Sequence, residues 1–432
     1  MSVRVEQIAF PVIRQIAKRT RLAKVVFGLV GTENPFEPEF YVDPYPRVNK
    51  LWDKGPVFYH RIFGQWMVLG YDEVHELLRS SDTAVSETVD LLLSVRPYSA
   101  LSAQAKSSFS KWVLLTDPPN HTRLRSLVSP AFTPRRIAGW EPRVAEVASE
   151  LIEAMRQTEE PDVAADFATK LPIYVIGDIL GLPRDRWDWL KEASDSIAGL
   201  LDPFLAFDPV AMNRHFADLH AYFVSIAAER RTEPRDDLIS VLVQAADGDA
   251  LTDEELVAMI QILMMAGHET TTGMLGNSIV ALAAHPDQRE LFRTRPDLRE
   301  NAIEELIRFD SSVTSGIRVA TKEIRLGDKT IKAGARVAIL WGAANRDPRR
   351  WPDANELRLD RENPRPISFG HGIHHCIGAA LARMEMRVGL GAFIDAFGDY
   401  TIDTSRVEWK KSGTLRGPVV LPVRHRQPTH RH

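Results

Sequence analysis

The sequence predicts a mainly α-helical protein with small β-sheets, and three observations carry that reading. From Ile137 to about Arg231 apolar residues recur at helical spacing, with breaks at Gly181-Leu182-Pro183, Asp202-Pro203 and Asp208-Pro209. Thr252-Asp253-Glu254-Glu255 is a capping box that opens a pattern ending at His285 before Pro286, a helix of roughly 50 Å at 1.5 Å per residue. Short β-rich runs, VFYHRIF, QWMVLG and the alternating stretch after Ser311, supply the strands.

A chain of 432 residues can bury a large core, and 54 Lys and Arg against 58 Asp and Glu leave no global charge that points to nucleic acid. One cysteine excludes an intramolecular disulfide and agrees with a reducing cytoplasm. Near the N-terminus Arg4, Arg14, Lys18, Arg19, Arg21 and Lys24 face Glu6 and precede VVFGLVG, a run too short to span a bilayer. It has no small-residue cleavage site before Asn34-Pro35. A weak membrane-surface contact through residues 1–30 and a helix docked on the fold both fit this segment.

Taken in order, the chain first suggests a short helix starting at Pro44 to Pro46, then a hairpin around Gly64 and a helix over Tyr71–Arg79. Residues 81–115 show no sustained period and are expected to be irregular. Thr116 to Arg125 reads as a helix start, with His121 and Arg125 on one face. Glu304, Glu305 and Arg308 share a later helix, where either acid can pair with the arginine. Strands follow with a turn at Gly327-Asp328, and residues 401–423 suggest one last hairpin. His425, His430 and His432 belong to a polar tail at 425–432.

Two stretches carry chemistry. Cys376 stands at or just before the start of the helical run AALARMEMRVGLGAF, where unpaired N–H groups favour a thiolate. Gly370, Gly372 and Gly378 let backbone turn sharply beside a flat cofactor, and Phe369 can shield the sulfur. An inert buried thiol, or a zinc site with His371, His374 and His375, competes with this reading, although structural zinc normally draws on a second ligand pair. In the long helix LVAMIQILMMAG is apolar on nearly every side, as in a helix buried mid-protein. Ala266 to Gly273 then places two glycines and three threonines in its interior, through packing or a deliberate deformation.

The segment Phe369, Gly370, Gly372, His374, Cys376 and Gly378 resembles the haem-binding loop FGxGxHxCxG of the cytochromes P-450. Ala266, Gly267, Glu269, Thr270 and Thr271 match that family's [AG]Gx[DE]T[TS], and Glu305 with Arg308 its ExxR. The resemblance covers residues 35–424 and implies a single haem-binding domain between the basic segment 1–34 and the polar tail. It implies haem b on the thiolate of Cys376, held by the cofactor-binding residues Ala266, Gly267, Phe369, Gly370 and Gly378. His121, Arg125, Arg318 and His374 would take the propionates, and Glu269 and Thr270 would deliver protons. Glu305 and Arg308 would be buried, with Arg361 or Arg358 as third partner.

A cytoplasmic monooxygenase follows, using O2 and electrons from NAD(P)H through a ferredoxin and its reductase, since no flavin or Fe–S segment is present. The expected pocket is Leu92, Val95, Tyr98, Ile262, Leu263, Val313, Ile317 and Leu415, with a lid around residues 200–210. That apolar lining suits a lipid-, terpenoid- or steroid-like substrate, and Arg96 could hold a carboxylate. Arg123, Arg135, Arg136 and Arg383 are the expected basic face for the ferredoxin. A peroxide-driven peroxygenase and a non-catalytic haem sensor are the alternatives.

Overall fold

A computed structural model describes residues 38–202, 207–248 and 250–425. The N-terminal segment with its boundary at residue 34, part of the expected lid and the tail beyond 425 lie outside these residues.

The architecture is organised around the long helix Asp253–Ala284, which is buried along most of its length. Its capping box is made as the sequence predicts: the Thr252 hydroxyl accepts from the Glu255 N–H and the Glu255 carboxylate from the Thr252 N–H. Two orphan donors of the first turn are thereby satisfied. Helices Lys170–Leu180, Trp187–Ala198, Pro209–Thr232 and Leu238–Asp247 pack against it and bury one continuous apolar core. Among the described residues no helix is long and apolar enough to cross a membrane.

The expected hairpin is present as β1 (Val57–His60) and β2 (Gln65–Val68), with Gly64 at φ +59° in the turn. A five-stranded sheet joins them to β3 (Thr83–Ala84), β4 (Gly316–Ala320) and β7 (Arg336–Ile339) in the order β1-β2-β7-β4-β3. β5 (Ile324–Leu326) and β6 (Lys329–Ile331) form a separate hairpin around Gly327. The C-terminal segment differs from expectation. It makes two nested pairs, β8 (Tyr400–Ile402) with β11 (Val423–His425) outside, and β9 (Glu408–Trp409) with β10 (Pro418–Val420) inside. The strand therefore runs through His425, the first residue assigned to the tail.

Residues 81–115 are more regular than predicted, with helices at Ser86–Ser94 and Ala103–Ser110. Their caps explain why local spacing missed them. The Asp117 carboxylate accepts from the N–H groups of Val85 and Ser86 and from the Ser86 hydroxyl, starting the first helix from some thirty residues away. Ser102 caps the second by accepting from Ala105 N–H, and Ser108 donates to Gln261 on the long helix.

Behind the cysteine loop, Glu305 and Arg308 of helix Arg299–Phe309 form a fully buried bidentate pair at 2.6 and 2.8 Å. The third partner is Arg361, whose Nε lies 3.1 and 3.2 Å from the two carboxylate oxygens; Arg358 contributes its backbone N–H at 3.1 Å. Removing one member of such a group leaves an uncompensated buried charge. Glu305→Ala should lower the unfolding free energy by roughly 3–5 kcal/mol, read as the urea midpoint; an unshifted midpoint would contradict the bracing role.

Candidate active site

The loop before Cys376 is shaped by two residues in the left-handed region, Gly370 at φ +68° and Gly372 at φ +71°. It is closed by the Cys376 N–H donating to the Phe369 carbonyl at 2.8 Å. Gly372 has a second reason to lack a side chain: a Cβ there would stand 2.3 Å from the Leu78 carbonyl oxygen. Close packing on helix Tyr71–Arg79 therefore excludes the side chain, independently of any cofactor. Phe369 is buried, with the Arg383 guanidinium 4.3 Å from its ring centre.

Helix Ala379–Glu385 begins three residues after Cys376, with Gly378 as its N-cap. Burial pushes the Cys376 thiol up, against the opposing pull of the Gly378 N–H, Arg125 and Arg383. Coordination deprotonates a thiol, so a bound cation would hold Cys376 as the thiolate that the helix start favours. The histidines beside it diverge. His371 packs on His75 and His374 on His121, at ring separations of 4.1 and 4.2 Å. Among the described residues Cys376 and its neighbouring histidines form no group of three donors within metal-binding reach, which removes the zinc reading.

Cys376 opens into a cavity of about 520 Å³ that runs between this loop and the long helix. One edge of the cavity gathers His121, Arg125, Arg318 and His374 from three separate elements. Burial pushes Arg318 down to about 10 and His374 down to about 3, and lowers His121 and Arg125. His121 Nδ1 and His374 Nε2 are buried without a hydrogen-bond partner among the described residues. Four donors turned to one edge, two with orphan nitrogens, need an anion there. A flat ring with two carboxylates on that edge and a metal over Cys376 fits this donor set.

Opposite the cysteine, Ala266, Gly267 and Thr270 face the cavity. The helix is continuous through this stretch. Gly267 is required by packing, since a Cβ would meet Ile176 at 2.6 Å. The Thr270 hydroxyl donates to the Ala266 carbonyl at 3.2 Å, a back-bond within the helix, while the side chain lines the cavity. Glu269 is buried and ion-paired to Lys410, beside His268 and Asp195. Burial and Asp195 push its carboxyl up, against the pull of Lys410.

Leu92, Ile262, Leu263, Val313, Ile317 and Leu415 line the cavity as expected, whereas Val95 and Tyr98 do not. Tyr98 is buried with its hydroxyl donating to the Leu200 carbonyl at 3.0 Å, so it fastens the segment after helix Trp187–Ala198. Arg96 is exposed and outside the lining, which removes the proposed carboxylate contact. Sequence reasoning missed Asp195 and Lys410, brought in from distant parts of the chain with no local motif, and the role of Asp117 in capping the helix at Ser86.

A family model described as Cytochrome P450 matches residues 48–294 and 295–422. The vitamin D(3) 25-hydroxylase of Pseudonocardia autotrophica is 39% identical over 320 residues, 72% of this chain and 77% of that protein. The 6-deoxyerythronolide B hydroxylase of Saccharopolyspora erythraea is 34% identical, covering 89% of this chain and 96% of its own. Among solved structures, P450BioI in complex with hexadec-9Z-enoic acid ligated acyl carrier protein superposes with a TM-score of 0.84 at 30% identity, covering 90% of this chain and 99% of that one.

Charge-assisted bonds to an anion are each worth roughly 1.5–3 kcal/mol. Arg318→Ala and Arg125→Ala should each speed cofactor loss about tenfold or more, that factor corresponding to about 1.4 kcal/mol. Transfer of haem to a scavenger globin would measure it, and unchanged rates in both variants would reject the cationic edge. Cys376→His should still take up haem but lose the thiolate-type spectrum of the reduced carbonyl complex; keeping that spectrum would rule out Cys376 as the donor.

Proposed function

This chain belongs to the cytochrome P450 family and is a haem-dependent monooxygenase, and from that premise we propose that it oxidises a large hydrophobic substrate with electrons from a ferredoxin and its reductase. Haem, when bound, activates O2, placing one oxygen atom on the substrate and releasing the other as water after two electrons and two protons arrive.

In this reading Cys376 would supply the sulfur that holds the haem iron, with Phe369, Gly370 and Gly378 forming its bed. His121, Arg125, Arg318 and His374 would hold the ring's carboxylates, and Ala266 and Gly267 would leave room for it beside the long helix. Glu269 carries protons toward the cavity, where the Thr270 hydroxyl orients water beside the reacting atoms. The placement of Thr270 on the cavity lining supports this assignment.

The apolar wall of the cavity is the observation that carries the substrate class. Leu92, Ile262, Leu263, Val313, Ile317 and Leu415 surround the space above the loop. Such a wall binds by area removed from water, on the order of 25 cal/mol per Å², so lipid-, terpenoid- or steroid-like molecules outbind small polar ones. A relative that hydroxylates vitamin D(3) and a neighbour seen with a hexadecenoic acyl group are consistent with this class.

For the electron donor, Arg135 and Arg136 are exposed and make no ion pair among the described residues, and Ile373 beside the cysteine loop is 52% exposed. We assign these exposed residues to the contact with an acidic ferredoxin. Arg123 and Arg383 drop out, because Glu255 and Glu304 neutralise them.

Titration with a sterol, a terpene, a branched fatty acid and small amides, followed by the Soret shift, tests the substrate class; tight binding by the amides alone would refute it. With a surrogate ferredoxin and reductase, Thr270→Ala should consume NAD(P)H while yielding several-fold less product. Full coupling in that variant would remove the hydroxyl from proton delivery.

A further inference from the structure

Glu269 is surrounded by charged groups from three elements. Lys410, just after β9, donates to its carboxylate. Asp195, from helix Trp187–Ala198, has a carboxylate oxygen within 4.8 Å of both Glu269 and His268. His268 is fixed by Nδ1 donating to the Met264 carbonyl at 3.0 Å, which leaves Nε2 3.5 Å from Asp195 and 3.8 Å from Glu269. Lys191 completes the set, 2.6 Å from Asp195 on the same helix.

Two carboxylates this close repel each other, which favours one proton held between them. Exposure decides where it rests. The Glu269 side chain is 4% exposed and that of Asp195 38%. Water and Lys191 therefore stabilise the charge on Asp195, and the proton rests on the buried Glu269. The directions of their shifts agree: burial and Asp195 raise Glu269, while Asp195 is held low, its partial burial overcome by Glu269, His268 and Lys191. Lys410 opposes this, since an ammonium against the carboxylate favours the ionised form.

We propose that Asp195 is the water-side half of a shared-proton pair with Glu269, so that protons pass from bulk through helix Trp187–Ala198 into the cavity, with Lys410 setting how readily Glu269 releases its proton. Glu269 gives a proton to water beside Thr270 and becomes a carboxylate stabilised by Lys410. Asp195 then takes a proton from bulk and returns it to Glu269, restoring the pair. Asp195 and Lys410 are positioning residues here. The inference rests on the reading of Glu269 as the proton carrier, and it ties proton supply to helix Trp187–Ala198, which packs against the long helix.

Infrared difference spectra of the holoenzyme across pH, with the protonated-carboxyl band assigned by Glu269→Gln, read the pair without turnover. Asp195→Asn should shift the titration of that band down by about one pH unit or more, a tenfold change in the protonated-to-ionised ratio, and Lys410→Met should shift it up. In turnover, Asp195→Ala should lower product formed per NAD(P)H several-fold, and Asp195→Glu should restore it. A band that titrates in Asp195→Asn as in the parent overturns the pair, and unchanged coupling in Asp195→Ala overturns the bulk-side role. Unchanged coupling in Glu269→Gln itself overturns the carrier reading underneath, whatever the infrared result.

Discussion

The cysteine loop depends on one buried ionic cluster. Glu305 is shared by two guanidiniums, and what the single carboxylate leaves unneutralised is taken up by backbone carbonyls. Arg308 donates to Asn345, Ala354 and Glu356, and Arg361 to Pro352, Asp353 and Glu356. A stretch with little regular structure is thereby wrapped around a fixed charge. Asn345 passes the constraint on, accepting from the Ile367 N–H and donating to the Ser368 hydroxyl, so the residues just before Phe369 are held from below. The sulfur is positioned by this chain of contacts more than by any helix of its own.

Elements with a strong local signal were legible in the sequence. The capping box, the Gly64 hairpin, helix Tyr71–Arg79 and the ExxR pair each rest on contacts within a few residues, and spacing reveals those. What spacing hid was non-local. Helix Ser86–Ser94 starts on a carboxylate at position 117, the C-terminal strands nest instead of forming one hairpin, and Arg361 could be told from Arg358 only by its place in three dimensions. The cavity divides the same way. Residues on the long helix and on 313–317 were readable because their elements were, whereas Val95 and Tyr98 turned elsewhere because the expected irregular segment is in fact a set of short capped helices.

The cavity has two electrostatic regimes set by burial. On the edge near the cysteine loop, His121, Arg125, Arg318 and His374 are desolvated and, among the described residues, no carboxylate is hydrogen-bonded to them; Asp117 gives its oxygens to Val85 and Ser86. That edge is preorganised for an anion and gains when one arrives. On the distal side Glu269 is surrounded by a matched set of groups, Lys410, His268 and Asp195, and is internally satisfied. A site that must hold a cofactor tightly and move a proton easily needs both arrangements, kept apart by the width of the cavity.

The nested C-terminal strands have a consequence for biosynthesis. In chain order the sulfur and all four residues of that edge precede position 377, while Lys410 and residues 412–416, which form one wall of the cavity, come after it and are fastened by β8–β11 and β9–β10 pairing. Asp202 joins that wall to the segment after helix Trp187–Ala198 by accepting from the Ser412 hydroxyl and the Gly413 N–H. A nascent chain synthesised only through the cysteine loop already carries every group expected to grip the cofactor but still lacks this side of the enclosure. Closure of the enclosure is written into residues 400–425, which leave the ribosome after the gripping residues have been made.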